Sequence, residues 1–186
     1  MTERVQEVID RVEKFIADKE DALALPVESA RFAHTLVLAC RARQCVEIGT
    51  SYGWSGLWIG SAAAINGGRL VTIDKELRKA EIARGFFREA GLAETIDSRV
   101  GQGIEILAAL PGPVDWVHND ADKENCIRYV ELVYPKMPVG GVVLTDNVGN
   151  NEVVREQFVP WMRANANFFS TLVPVGNGME LSVKLQ

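Results

Sequence analysis

Two short clusters, Asp120-Ala121-Asp122-Lys123 and Asp146-Asn147, each close an apolar run, Val114 to Asn119 and Val142 to Thr145. Asp120, Asp146 and Asn147 supply two carboxylates and an amide oxygen. An all-oxygen donor set of this kind suits Mg²⁺, Mn²⁺ or Ca²⁺ better than zinc. Three protein ligands leave positions for water and for a chelating substrate. Lys123 follows Asp120 by three residues, so an early turn brings its ammonium to the same place. An amine beside a divalent cation has reason to give up its proton and can act as a general base. The competing reading of Asp122-Lys123 is a surface ion pair.

A second constellation lies upstream. The run Cys45 to Gly49 is a short buried strand, and it leads into Glu47-Ile48-Gly49-Thr50-Ser51-Tyr52-Gly53-Trp54-Ser55-Gly56. Glycine at a strand-to-helix turn lets a ligand approach the backbone, and the following helix offers free N–H groups. The spacing is G-x-x-x-G-x-x-G, not the G-x-G-x-x-G that cradles a pyrophosphate. Glu47 at the strand end would repel phosphate but suit an ammonium. S-adenosylmethionine carries an ammonium and a sulfonium and no phosphate. Asp74, ending the next strand, stands where a carboxylate accepts hydrogen bonds from ribose hydroxyls. Gly101-Gln102-Gly103 could admit an adenine.

The elements that must position these groups alternate. The pattern predicts amphipathic helices over residues 3–19 and from Pro26 to about Ala42, packing on the core or on a dimer partner. Strands follow at 45–49, 70–74, 96–100, 114–119 and 142–145, with helices at 54–64, 77–90, 104–110, 125–136 and 152–164. Gly91 is the expected cap of the long charged helix. Such alternation implies a parallel sheet covered on both faces, α/β and Rossmann-like. Then the pattern changes: Phe168–Val175 and Met179–Leu185 flank Gly176-Asn177-Gly178 as an antiparallel hairpin. No linker or repeat divides residues 1–186, so one domain is expected.

No apolar run reaches the length of a membrane span, and the charged first 20 residues lack a signal peptide's apolar core, so a cytoplasmic location is expected. A formal net charge of −5 disfavours broad nucleic-acid binding. Cys40, Cys45 and Cys126 are odd in number and without paired spacing, and read as reduced, buried small residues. The four tryptophans and Phe168-Phe169 read as core, and His34 and His118 as structural histidines.

The ordered motifs V-E-I-G-T-S-Y-G-W-S, V-T-I-D, D-A-D-K-E-N, G-G-V-V-L-T-D-N-V and P-V-G-N-G-M-E-L resemble the cation-dependent O-methyltransferase family of catechol and caffeoyl-CoA O-methyltransferases. The likeness covers residues 26–186 and is strongest to short bacterial members. It implies the class I methyltransferase variant of the doubly wound fold, with Asp120, Asp146 and Asn147 on Mg²⁺ and Lys123 as catalytic base. It also implies that Glu47, Gly49, Ser51, Gly53, Ser55, Asp74 and Gly103 hold S-adenosylmethionine, with Asp120 and Asp122 beside it. A small phenolic acceptor with vicinal oxygens and a homodimer are expected. The alternatives are a tRNA hydroxyuridine O-methyltransferase and a non-catalytic S-adenosylmethionine-binding protein. His118 and Asn119 depart from the family pattern, which has apolar strand residues there. Plant members of the family recognise their substrates through longer N-terminal and inserted elements, and a CoA-ester acceptor is not expected for this chain.

Overall fold

A computed structural model describes residues 1–186. Helix α1 (Glu3–Ile16) starts where the Thr2 hydroxyl accepts the Val5 N–H, and it buries Val5, Val8, Ile9, Val12 and Ile16 along one stripe. That stripe joins the core beside α2 (Val27–Ala39), so α1 is covered within the chain rather than left for a partner. Strand β1 (Gln44–Ile48) runs into α3 (Trp54–Ile65), then β2 (Arg69–Asp74), α4 (Leu77–Glu89), β3 (Ile96–Val100), α5 (Gly103–Ala109), β4 (Trp116–Asn119), α6 (Cys126–Val133) and β5 (Val142–Thr145). After α7 (Val159–Ala164) the chain closes with β6 (Phe168–Val173) and β7 (Met179–Lys184).

The sheet order is β3-β2-β1-β4-β5-β7-β6, with β1 to β5 parallel and the last two strands antiparallel. This is the expected α/β architecture. Alternate residues of each strand enter opposite cores: Cys45, Leu70 and Trp116 face the layer of α1 to α4, while Val46, Val71 and Val117 face α5 to α7. Chain order reverses between β1 and β4, and ligands of open α/β sheets bind beyond strand ends at such a switch point.

Several details differ from expectation. The helix expected over 125–136 is α6 flanked by 3₁₀ turns at Lys123–Asn125 and Tyr134–Lys136, and Pro135 has no N–H to continue the ladder. The helix expected over 152–164 contains a π-helical turn, Val154–Phe158. Pro160 follows it; its ring would crowd the Glu156 carbonyl in a regular helix, and the wider turn relieves this. Phe168 is buried but Phe169 is 66% exposed, since neighbours on a strand face opposite ways. Cys40, at the end of α2, is exposed rather than buried. No helix is long and apolar enough to cross a membrane.

Candidate active site

The carboxyl ends of β1, β2, β4 and β5 open into a cavity of about 710 Å³, within the range of small-molecule sites. The glycine-rich turn forms its floor at the switch point. Gly49 has φ +110°, and a side chain there would strike the Asp120 carbonyl at 2.5 Å. The turn can therefore lie against the end of β4 only because residue 49 lacks a Cβ. Gly53, at φ +86°, caps α3 and sits against Ala83 and Phe87 of α4.

Gly49, Ser51, Ser55, Asp74, Gly103, Asp120, Asp122, Lys123, Asp146 and Asn147 all line this one cavity. Glu47 and Gly53 do not. Glu47 is wholly buried under the turn: the Thr72 hydroxyl donates to its Oε2 at 2.6 Å, and its Oε1 lies 3.4 Å from His118 Nδ1. Thr72 in turn pairs with the Thr50 hydroxyl at 2.6 Å. Asp74 fixes the turn from the other side, accepting the Ser51 N–H at 2.6 Å and the Glu76 N–H at 2.8 Å. Each of its oxygens keeps a lone pair for a further donor.

The acidic cluster is paired differently from the simplest sequence reading. Lys123 bonds Asp120 at 2.5 Å, not Asp122. Asp122 instead accepts from Lys75 and from the Tyr129 hydroxyl, both at 3.0 Å. The Lys75 hydrogen bond holds the Asp122 carboxyl below its ordinary range, while burial and the adjacent Asp122 push the Tyr129 phenol up. Neither partner carried a motif. Tyr129 has the periodicity of a buried helix residue, and only the fold turns its hydroxyl to the site.

Asp146 is almost fully buried, its Oδ1 has no hydrogen-bond partner, and burial together with the nearby Asp120 charge raises its pKa to about 6. A buried carboxylate beside a like charge, with one oxygen lacking a donor, is costly unless a cation compensates it. Asn147, at φ +73°, adds an amide oxygen from the same turn. No three His, Cys, Asp or Glu side chains converge on one point. The donor set is thus two carboxylates and an amide, and it fits a hard divalent cation with open positions better than a closed transition-metal site.

His118 and Asn119 enter the sheet beside these ligands with their polar groups only half satisfied. Burial works against a charged His118 ring, but the Glu47 hydrogen bond and the Asp120 and Asp146 charges raise its pKa. His118 Nε2 and Asn119 Oδ1 have no partner, while Asn119 Nδ2 donates to the Cys126 carbonyl at 3.2 Å. Trp54, Trp58 and Trp116 are core as expected, and Trp161 packs half-buried on the second core. The rest of the rim comes from Ala22–Leu25, between α1 and α2, and Asn150 and Asn151, none of which carried a motif, together with Asn177 of the hairpin turn.

Residues 2–185 match the family model described as O-methyltransferase. A catechol O-methyltransferase from Mycobacterium tuberculosis is 35% identical over 127 residues, which cover 68% of this chain and 57% of that protein. The chain therefore spans less than two thirds of the length of this curated relative. The crystal structure of the Bacillus cereus O-methyltransferase in complex with SAH superposes with a TM-score of 0.82 at 26% identity, covering 99% of this chain and 91% of that one. The O-methyltransferase TomG from Streptomyces achromogenes, involved in tomaymycin synthesis and solved with SAM, gives 0.84 at 27% identity, covering 100% and 91%.

Proposed function

This chain belongs to the O-methyltransferase family, and we propose that it moves a methyl group from S-adenosylmethionine to one hydroxyl of a small catechol-like acceptor. The observation that carries the reading is the convergence of Lys123, Asp120, Asp146 and Asn147 in the same cavity as the glycine turn and Asp74. Matching structures solved with SAM and SAH support the choice of cofactor.

In this reading Asp74 takes the ribose hydroxyls, and Gly49, Ser51, Ser55 and Gly103 let the cofactor lie against backbone. Asp122 borders the cofactor, and Glu47 acts from beneath the turn through Thr72 and Thr50. Asp120, Asp146 and Asn147 would hold Mg²⁺, or Mn²⁺ or Ca²⁺ in its place. When bound, such an ion supplies Lewis-acid polarisation of the acceptor's vicinal oxygens. Lys123 Nζ, 2.5 Å from Asp120 Oδ1, stands beside these three residues, where a phenolic hydroxyl of the acceptor would come within its reach. Lys123 Nζ then takes the phenolic proton. The phenolate oxygen forms a bond to the methyl carbon as the carbon–sulfur bond breaks, leaving neutral S-adenosylhomocysteine. Positioning of the two reactants provides much of the acceleration.

The test is methyl transfer to a panel of catechols with Mg²⁺ and with EDTA. Cation-dependent product is expected. Cofactor binding without transfer to any catechol would sink the acceptor class, and absence of cofactor binding would sink the reading. A homodimer and a cytoplasmic location complete the proposal, the former checked by analytical ultracentrifugation and the latter by fractionation of cells producing the protein.

A further inference from the structure

We infer that the acceptor carries, beyond its vicinal oxygens, a neutral hydrogen-bonding substituent rather than a carboxylate or phosphate. The inference rests on the proposed methyl transfer and names the acceptor class for that site.

The argument begins with the cations. Three lysines line the cavity, and no arginine or histidine does. Each lysine is already claimed by carboxylates: Lys75 by Asp122 at 3.0 Å, Lys79 by Glu76 at 3.1 Å and Asp21 at 3.6 Å, and Lys123 by Asp120 at 2.5 Å. Arg78, behind the rim, pairs with Asp21 at 3.1 Å. Six carboxylates line the same space. Recognition of phosphate or carboxylate calls for free Arg or Lys donors. An anionic tail here would meet none and would face surplus negative charge.

The rim on the acceptor side has a different chemistry. Backbone bonds from Val148 N to the Gly178 carbonyl, 3.0 Å, and from Gly149 N to the Asn177 carbonyl, 2.7 Å, zip the 147–151 loop to the hairpin turn. That turn packs on α2, where the Ser29 hydroxyl donates to the Val175 carbonyl at 3.4 Å. The three segments thus form one continuous edge. It presents the amides of Asn147, Asn150, Asn151 and Asn177, which line the cavity together with Ala22–Leu25, and these residues include no ionisable side chain. An amide both donates and accepts and carries no charge. Leu23 stands 88% exposed at this edge with φ +43°, a strained conformation for leucine that holds an apolar surface at the mouth. Amides and an exposed apolar leucine lining the same cavity suit a neutral substituent such as a carboxamide or a glycosyl group.

The test titrates the S-adenosylhomocysteine complex, in magnesium buffer, with catechol, 3,4-dihydroxybenzamide and 3,4-dihydroxybenzoate by calorimetry, and measures KM for the same compounds and for caffeoyl-CoA. The benzamide should bind about three- to tenfold more tightly than the benzoate, the worth of one or two neutral hydrogen bonds. Asn150→Lys, which adds a free cation to the rim, should reverse the order on the same fold. That comparison cancels any difference in reactivity between the compounds. Equal or tighter binding of the benzoate or of caffeoyl-CoA by the wild-type chain overturns the inference while leaving methyl transfer standing. Failure to methylate any compound, catechol included, overturns the proposed function and this inference with it.

Discussion

Glu47 and His118 lie side by side in register on β1 and β4, wholly buried, with Oε1 and Nδ1 3.4 Å apart. Through Thr72, which bonds both Glu47 and Thr50, this pair ties the strand that delivers Asp120 to the turn that would cradle the cofactor. His118→Phe leaves a carboxylate buried with one hydroxyl partner. Leaving a buried polar group short of a hydrogen-bond partner costs about 1–3 kcal/mol. Urea unfolding should show a loss of that order, with weaker S-adenosylhomocysteine binding by calorimetry. Glu47→Gln, which removes the charge but keeps an acceptor for Thr72, should cost less. A neutral outcome for His118→Phe would mean that Thr72 alone satisfies Glu47.

Asp146 is the buried carboxylate with an unpartnered oxygen. Asp146→Asn removes the cost of burying its charge, so the metal-free protein should melt higher than wild type in EDTA. The variant should also lose the upward shift in melting temperature expected of the wild type when Mg²⁺ is added. Thermal denaturation with and without Mg²⁺ reads both effects. An undiminished Mg²⁺ shift in the variant would remove Asp146 from the metal site.

Lys123→Met should lower kcat by about 10²- to 10⁴-fold, the usual worth of a positioned general base, with KM nearly unchanged. Steady-state kinetics with a catechol acceptor checks this. A rise in KM with kcat preserved would make Lys123 a binding group instead.

Gly49→Ala places a methyl group 2.5 Å from the Asp120 carbonyl at a backbone angle that favours glycine. Strain of this kind costs about 1–3 kcal/mol, and relief requires the end of β4 to move. Unfolding midpoint and cofactor affinity should fall together. Preserved cofactor affinity would show that the turn can part from β4 without harm.

Away from the site, His34 Nδ1 lies 2.8 Å from the Trp58 carbonyl, and burial lowers its pKa below the ordinary value. The folded state therefore binds the proton less readily than the unfolded chain. This contribution to stability is intact above the unfolded pKa of about 6.5 and is lost as pH falls through the window down to the lower folded value. The drop in unfolding free energy between pH 7.5 and 5.5 should shrink in His34→Gln. An unchanged drop would assign the acid sensitivity elsewhere.

Alternation of apolar runs with helical periodicity made the doubly wound sheet legible, since strand and helix differ in side-chain period. The hairpin was legible for the same reason, with Gly176-Asn177-Gly178 as its turn. The π turn before Pro160 was not, because periodicity cannot register one added residue in a helix. The exposure of Phe169 was missed because β6 is an edge strand with one face to solvent, and adjacency of two phenylalanines says nothing about which face each takes.

The residue types alone determined that carboxylates, an amide and a lysine would gather at strand ends, because parallel strands bring their carboxyl ends to one edge. Tertiary structure decided the pairings: Lys123 with Asp120, Asp122 with Lys75 and Tyr129, and Glu47 beneath the turn with His118. It also decided that three asparagines, two of them adjacent in the chain and one far downstream, share a rim with Ala22–Leu25. Pairing depends on distances across the sheet and between loops, set by register and packing. Spacing along the chain specifies neither.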